Sequence, residues 1–364
     1  MALVPSESVM IKKTFTVLLS SLVVLAFLVG CSSESVKDSQ TLSNSNLTTD
    51  VVKTHDTSKV KVAIEDLYYN PNKEYGSLWN SELFNEDRFK LKIKLNKAEH
   101  KEAKVLARSF EAHMERGKVF MHYLLTELKE RNLPAELAAV PLVESGFKPR
   151  ARSHANAHGP WQFTRQTGKS FGLSVTDKYD EFYDFVASTD ASLTYLEHLY
   201  NELGKDWELA LVGYNQGEFG VKKLIRRAKA AGVKNINANN VALSRTARTY
   251  LKRFKAYASI LQHPEEYGVE HPKVDNRIAF KRIPTSGRVN SMKEAAKLAG
   301  VDLKVLKHLN AGYLTDSLSS SKQHGLLVPM ENALRFERAL GLDTATNKGY
   351  ALSNNLMHAY QVHL

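Results

Sequence analysis

The run PLVESGFKPR, residues 141–150, sets a single carboxylate at the edge of an apolar stretch. A helix over residues 134–144 puts Leu137, Val140 and Glu144 on one face, because they are spaced by three and four residues. An acid among apolar side chains loses the hydration of its charged form, which raises its pKa. A carboxylic acid still protonated near neutrality can give its proton to a leaving oxygen. Glu144 is therefore the candidate general acid. Asp177, Asp180, Asp184 and Asp190 lie downstream, but their spacing pairs none of them with Glu144, and they read as helix caps and surface charges. His154 and His158 stand four apart among small residues that read as loop. No glutamate sits between them in the HExxH manner, so they read as solvated histidines at a groove edge, with no metal and no cofactor.

The elements that must hold Glu144 are mostly helical. Residues 98–131 carry Leu106, Phe110 and Met114, then Val119, Tyr123, Leu124 and Leu128, at intervals that predict one or two amphipathic helices. Pro134 suits a first helical turn. Residues 190–203 carry apolar positions 193, 196 and 199, Asp206 suits an N-cap for WELALVGYN, and RTYLKRFKAYASIL is again amphipathic. Beyond residue 276 the pattern changes: RIAFKRI alternates like a strand, SMKEAAKLAG and DLKVLKHLNAG read as short helices, and HGLLVP reads as a closing strand. That order resembles a LysM-like wall-binding unit over residues 276–341, with a structural extension as the other reading.

The first 60 residues read differently. Lys12 and Lys13 precede an apolar run that ends on Leu28-Val29-Gly30-Cys31, shorter than the ~20 residues a spanning helix needs. Residues 1–30 read as an export signal, and the tetrapeptide ending in Cys31 resembles a lipobox whose cysteine is lipidated; the other readings are an ordinary secretory signal or an uncleaved anchor. The Ser, Thr, Asn and Asp of residues 31–59 cannot repay the entropy of folding and read as a tether, and residues 60–131 as a helical lead-in. About 30 such residues have a root-mean-square span of roughly 30 Å. With 50 basic and 39 acidic residues the chain carries +11, spread along its length, which favours an anionic setting. No RNP, zinc-finger or P-loop pattern accompanies the charge, so nucleic acid is not an expected partner.

Taken in order, ESGF from 144, Ser153, GPWQF from 159, GYNQG from 213 and RTYLKRF around Tyr250 resemble the four signature blocks of the family 1 lytic transglycosylases. YDEFYDFVASTDASLTYLEHLY and DWELALVGYNQGEFGVKKLI bring the resemblance nearest to the membrane-bound lytic murein transglycosylase D type. It implies a mainly α, goose-type-lysozyme-like (Slt) catalytic domain over residues 132–265, followed by a small α+β unit. It also implies cleavage of the MurNAc–GlcNAc bond of peptidoglycan without water, giving 1,6-anhydro ends. Glu144 would act as acid and then as base, and Ser153, Gly159, Gln162, Tyr214, Asn215 and Tyr250 would bind or orient substrate. The implied setting is the periplasmic face of the outer membrane, through lipid on Cys31, with partners in wall synthesis or division unspecified. The same fold could instead host a lysozyme-like hydrolase or a non-catalytic wall-binding protein. The departures from the family pattern are Pro160, Thr164, Arg165, Gly213, Gln216 and Thr246, the last standing where an acid is common.

Overall fold

A computed structural model describes residues 69–285, 287–318 and 324–342. The export signal, Cys31 and the tether lie outside the described residues. Helix α1, Lys97–Glu130, is one continuous helix, opened by a capping box in which Asn96 accepts from the Glu99 amide and Glu99 returns the bond to the Asn96 amide. A 3-10 turn, Ala135–Ala139, runs into the five-residue α2, Val140–Glu144. The single helix expected over 134–144 is thus divided. Pro141 has no amide to donate to the carbonyl of Leu137, which interrupts the helical ladder at the join, and Pro134 caps the 3-10 turn instead of lying within it.

A two-stranded ribbon follows, β1 (Ala157–His158) against β2 (Phe163–Thr164), with His158 opposite Phe163. Next come α3 (Arg165–Ser170), α4 (Phe185–Glu202), α5 (Trp207–Gln216), α6 (Glu218–Ala230) and α7 (Arg245–Gln262). Helix α4 starts five residues earlier than its apolar spacing indicated, because the Asp184 carboxylate accepts from the amides of Val186 and Ala187 and so sets the first turn. Asp206 caps α5 through the Leu209 amide, as its position suggested. Helices α1 and α7 pack along one another and against the 3-10 turn. Leu137, Ala138, Ala139 and Val140 between them have no exposed surface.

The chain closes with β3 (Phe280–Ile283), α8 (Met292–Ala299), α9 (Leu303–Leu309), β4 (Leu326–Pro329) and α10 (Met330–Ala339). β3 and β4 pair antiparallel, Phe280 opposite Pro329 and Ile283 opposite Leu326. This is the strand-helix-helix-strand order read from the sequence, with α10 added. The unit is bonded to the helical part by a buried ion pair, Arg282 to Asp184 at 2.8 Å, which also receives the Tyr179 hydroxyl. Backbone bonds from Asp180 to Gly312 (2.9 Å) and from Leu314 to Lys178 (2.8 Å) lie beside it.

Candidate functional site

Glu144 is the last residue of α2, and the three residues behind it fix its direction. Gly146 and Phe147 both adopt left-handed backbone (φ +58° each), so the chain doubles back at the end of the helix. The turn drives the Phe147 ring into α1, where only the missing Cβ of Gly117 leaves room: a β-carbon there would lie 2.6 Å from the ring. The Arg116 guanidinium donates to the Gly146 carbonyl (2.9 Å), and the Ser145 hydroxyl donates to the Pro160 carbonyl (2.8 Å), tying the acid to the loop that follows.

The Glu144 carboxyl lines a cavity of about 410 Å³ with Val143 from α2, Asn215 from α5, and Arg245, Thr246, Thr249, Tyr250 and Arg253 from α7. The Tyr250 hydroxyl donates to Glu144 Oε1 at 2.7 Å. Burial pushes the Glu144 carboxyl up from 4.5 to about 7, against the opposing effects of the Tyr250 hydrogen bond and the Arg253 charge. The group is thus a protonated acid on one side of neutrality and a carboxylate on the other. Tyr250 itself is held protonated well above its ordinary range by burial and by the neighbouring Glu144 charge.

The remaining site residues read from the sequence divide into two groups. Asn215 and Tyr250 join Glu144 in the cavity lining. Ser153, Gly159 and Gln162 lie in the segment that Ser145 ties to the acid, and Tyr214 reaches that segment from α5. The Ser153 hydroxyl accepts from the Ala157 amide (3.0 Å), and the Gln162 side chain donates to the Gly159 carbonyl (2.8 Å) from a left-handed backbone of its own (φ +52°). A β-carbon on Gly159 would lie 1.8 Å from the Phe182 carbonyl oxygen, so close packing within the protein already demands glycine there. The Tyr214 hydroxyl donates to the Trp161 carbonyl (2.8 Å), and the Glu144 charge adds to the burial that keeps this phenol protonated. Trp161 is fully buried, its indole donating to Thr189, and Phe163 is buried with it.

The histidine reading needs correction. His154 is exposed, but His158 is buried, its Nδ1 facing the Tyr183 hydroxyl at 2.9 Å and the Arg165 guanidinium at 3.2 Å. The β1–β2 pairing turns it inward. Of the four aspartates, Asp184 caps α4 and Asp180 pairs with Arg165 (2.7 Å). Asp190 binds Arg131, and none of the four lines the cavity.

The departures from the family pattern have local partners. Thr164 caps α3 through the Thr167 amide, and Arg165 lies over the Phe182 ring at 4.3 Å. A β-carbon on Gly213 would meet Leu203 at 2.7 Å, so glycine lets α5 approach α4. The Gln216 side chain donates to the Ser244 hydroxyl (2.7 Å), joining the end of α5 to the cap of α7. Sequence reasoning missed Arg245, Thr249 and Arg253 in the lining. Their four-residue spacing along α7, on the side that carries Tyr250, was the available signal.

Comparison with known proteins agrees with this architecture. Residues 124–237 match the model of the transglycosylase SLT domain, and residues 279–343 match the LysM-like domain of the lytic transglycosylase MltD. The membrane-bound lytic murein transglycosylase D of Escherichia coli K12 is 36% identical over 225 residues, 62% of this chain and 49% of that protein, and the same figures hold for the Escherichia coli O6:H1 protein. The chain therefore spans about half the length of the curated relatives it matches. Among solved structures, the 70 kDa soluble lytic transglycosylase of Escherichia coli aligns with a TM-score of 0.30 at 20% identity, over 36% of this chain and 22% of that one. The SLT match ends before α7 begins, yet α7 supplies five of the seven residues that line the cavity with the acid. In sequence the chain is thus similar to a transglycosylase SLT domain followed by the LysM-like domain of the lytic transglycosylase MltD.

Proposed function

We propose that this protein is a murein lytic transglycosylase in which Glu144 is the general acid and then the general base. The observation that carries the reading is the bond from Tyr250 to Glu144 at the cavity, with the acid pushed up to about 7. Protonated Glu144 gives its proton to the oxygen joining MurNAc to GlcNAc as the bond from that oxygen to C1 breaks. The resulting carboxylate removes the proton of the MurNAc C6 hydroxyl as that oxygen bonds to C1, and the substrate N-acetyl group assists departure. Glu144 ends protonated, no water enters, and the product is a 1,6-anhydro sugar. Proton transfer of this kind is worth roughly 10² to 10⁴ in rate, and the remainder comes from positioning and charge stabilisation.

The single carboxylate in the lining supports transfer within the sugar over hydrolysis, which requires a second carboxylate or an organised water. Tyr250 orients the acid, Asn215 offers its amide to the substrate, and Tyr214, Ser153, Gln162 and Gly159 support the loop at the edge of the cavity. The lipobox-like Cys31 supports attachment by lipid to the periplasmic face of the outer membrane, and the LysM-like match supports a glycan-binding C-terminal unit.

Digestion of purified sacculi followed by mass spectrometry tests the chemistry. 1,6-anhydro-muropeptides are expected from the wild type and are lost with Glu144→Gln. Reducing ends that take ¹⁸O from labelled water would assign a hydrolase instead.

A further inference from the structure

The segment that leaves the acid is a strained one. Between Glu144 and Thr164 three non-glycine residues, Phe147, Asn156 and Gln162, adopt left-handed backbone (φ +58°, +61° and +52°). Such a conformation is costly for a bulky residue like Phe147 and persists only where the surroundings over-determine it. The β1–β2 ribbon inside the segment has two residues a side, too few to hold itself in water. Part of what fixes the segment therefore lies outside it.

The C-terminal unit reaches it through residues 311–314, between α9 and β4, where each carbonyl from Ala311 to Tyr313 is engaged by the helical part. The Arg150 Nε donates to the Ala311 carbonyl at 3.0 Å, and the end of the same guanidinium donates to the Tyr313 carbonyl. The Asp180 amide donates to the Gly312 carbonyl (2.9 Å), and the Leu314 amide to the Lys178 carbonyl (2.8 Å). A β-carbon on Gly312 would lie 2.7 Å from the Tyr179 ring, so glycine is what lets the two backbones approach.

Each of these bonds leads back to the acid. Arg150 stands six residues after Glu144, just past the turn that aims it. The Asp180 carboxylate accepts from Arg165 (2.7 Å), whose guanidinium lies 3.2 Å from His158 Nδ1 in β1. From α9, His308 Nε2 donates to the Arg116 carbonyl (2.9 Å), and Arg116 in turn holds Gly146. The strained segment is thus gripped near its start, at its ribbon and from behind.

We propose that the 311–314 loop of the C-terminal unit is a positioning element for the acid, with Arg150 and Gly312 as its positioning residues. It holds the segment behind Glu144 in its strained form, and so keeps the carboxyl where it meets the glycosidic oxygen. The inference rests on the reading of Glu144 as the acid and gives the C-terminal unit a role at the cleft besides glycan binding. Arg150 and Gly312 act through the segment and not on the substrate. A misplacement of about 1 Å can cost on the order of a hundredfold in rate, so a partial loosening costs less.

The test follows steady-state cleavage of a soluble peptidoglycan oligosaccharide by full-chain variants, with rates referred to the fraction folded by circular dichroism. Arg150→Ala, at an exposed side chain that leaves the core untouched, is expected to lower kcat about tenfold with KM within about twofold. Gly312→Ala, which presses on the same contact from the other side, is expected to do likewise. Arg150→Lys reaches one carbonyl where arginine reaches two, and is expected to lower kcat only about threefold. Gly300→Ala sets a β-carbon against Arg335 inside the C-terminal unit, and is expected to lower the melting temperature with kcat unchanged. Wild-type kcat in Arg150→Ala or in Gly312→Ala overturns the positioning role, as does a rise in KM at unchanged kcat. A loss of kcat in Gly300→Ala as large as theirs also overturns it, because the effect would then be one of stability. Product analysis of the wild type keeps this apart from the reaction: absence of anhydro products sinks the chemistry given to Glu144, whereas anhydro products with unaffected variants sink the positioning role alone.

Discussion

Replacing Glu144 by Gln should make the protein more stable once the pH rises above about 4.5, and fully so above about 7. The carboxyl of Glu144 is raised from 4.5 to about 7 by burial, so the folded chain holds this proton more tightly than the unfolded chain does. Folding stability must then fall as pH rises from about 4.5 towards 7, and the full penalty is present above that. A rise of this size corresponds to about 3 kcal/mol. Glutamine has nearly the same volume and can still accept from the Tyr250 hydroxyl, but it carries no charge to desolvate. The variant should match the wild type in urea unfolding at pH 4 and exceed it by up to about 3 kcal/mol at pH 8, the gap opening through the window between. A difference that is constant from pH 4 to pH 8, or a variant less stable at pH 8, would show that the acid is not desolvated in the folded state. The desolvation argument for Glu144 as a neutral-pH acid would then fail with it.

Three further outcomes follow from the same geometry. Tyr250→Phe removes the donor that lowers the Glu144 pKa, so the alkaline limb of the kcat/KM profile should move up by about one unit; a limb that stays in place, or moves down, contradicts the role given to this bond. Arg282→Ala strands the buried Asp184 carboxylate, which its partners hold below the usual range, and should cost about 3–5 kcal/mol in denaturant unfolding. Loss of under 1 kcal/mol there would mean the junction is solvated. Gly159→Ala forces a β-carbon against the Phe182 carbonyl from a left-handed backbone, and should lower stability by at least about 2 kcal/mol; a neutral effect would refute the close approach.

Much of the site was legible before any coordinates. The apolar spacing that ends at Glu144 pointed to a raised pKa, and the blocks at 159, 213 and 250 pointed to its neighbours. The role of each neighbour was less legible. Tyr214 looks like a substrate contact in one dimension, but its hydroxyl is engaged by the Trp161 carbonyl. His158 looks solvated, yet the ribbon pairing turns it inward. Pro141 divides a helix that periodicity drew as continuous, because the pattern of apolar residues records burial and carries no information on which amide is missing.

By itself, the sequence determined the helical class and the placement of the small C-terminal unit, and it singled out Glu144 as the candidate acid, since each follows from local periodicity or from a motif that residue types carry within a few turns. Only the tertiary structure decided what surrounds that acid. Tyr250 lies 106 residues further along the chain and Arg253 three beyond it, and they reach Glu144 only because α7 packs on α1 and α2. Desolvation and charge act through space, so a pKa near 7 and an excess of positive charge beside it are properties of packed helices and not of any one segment.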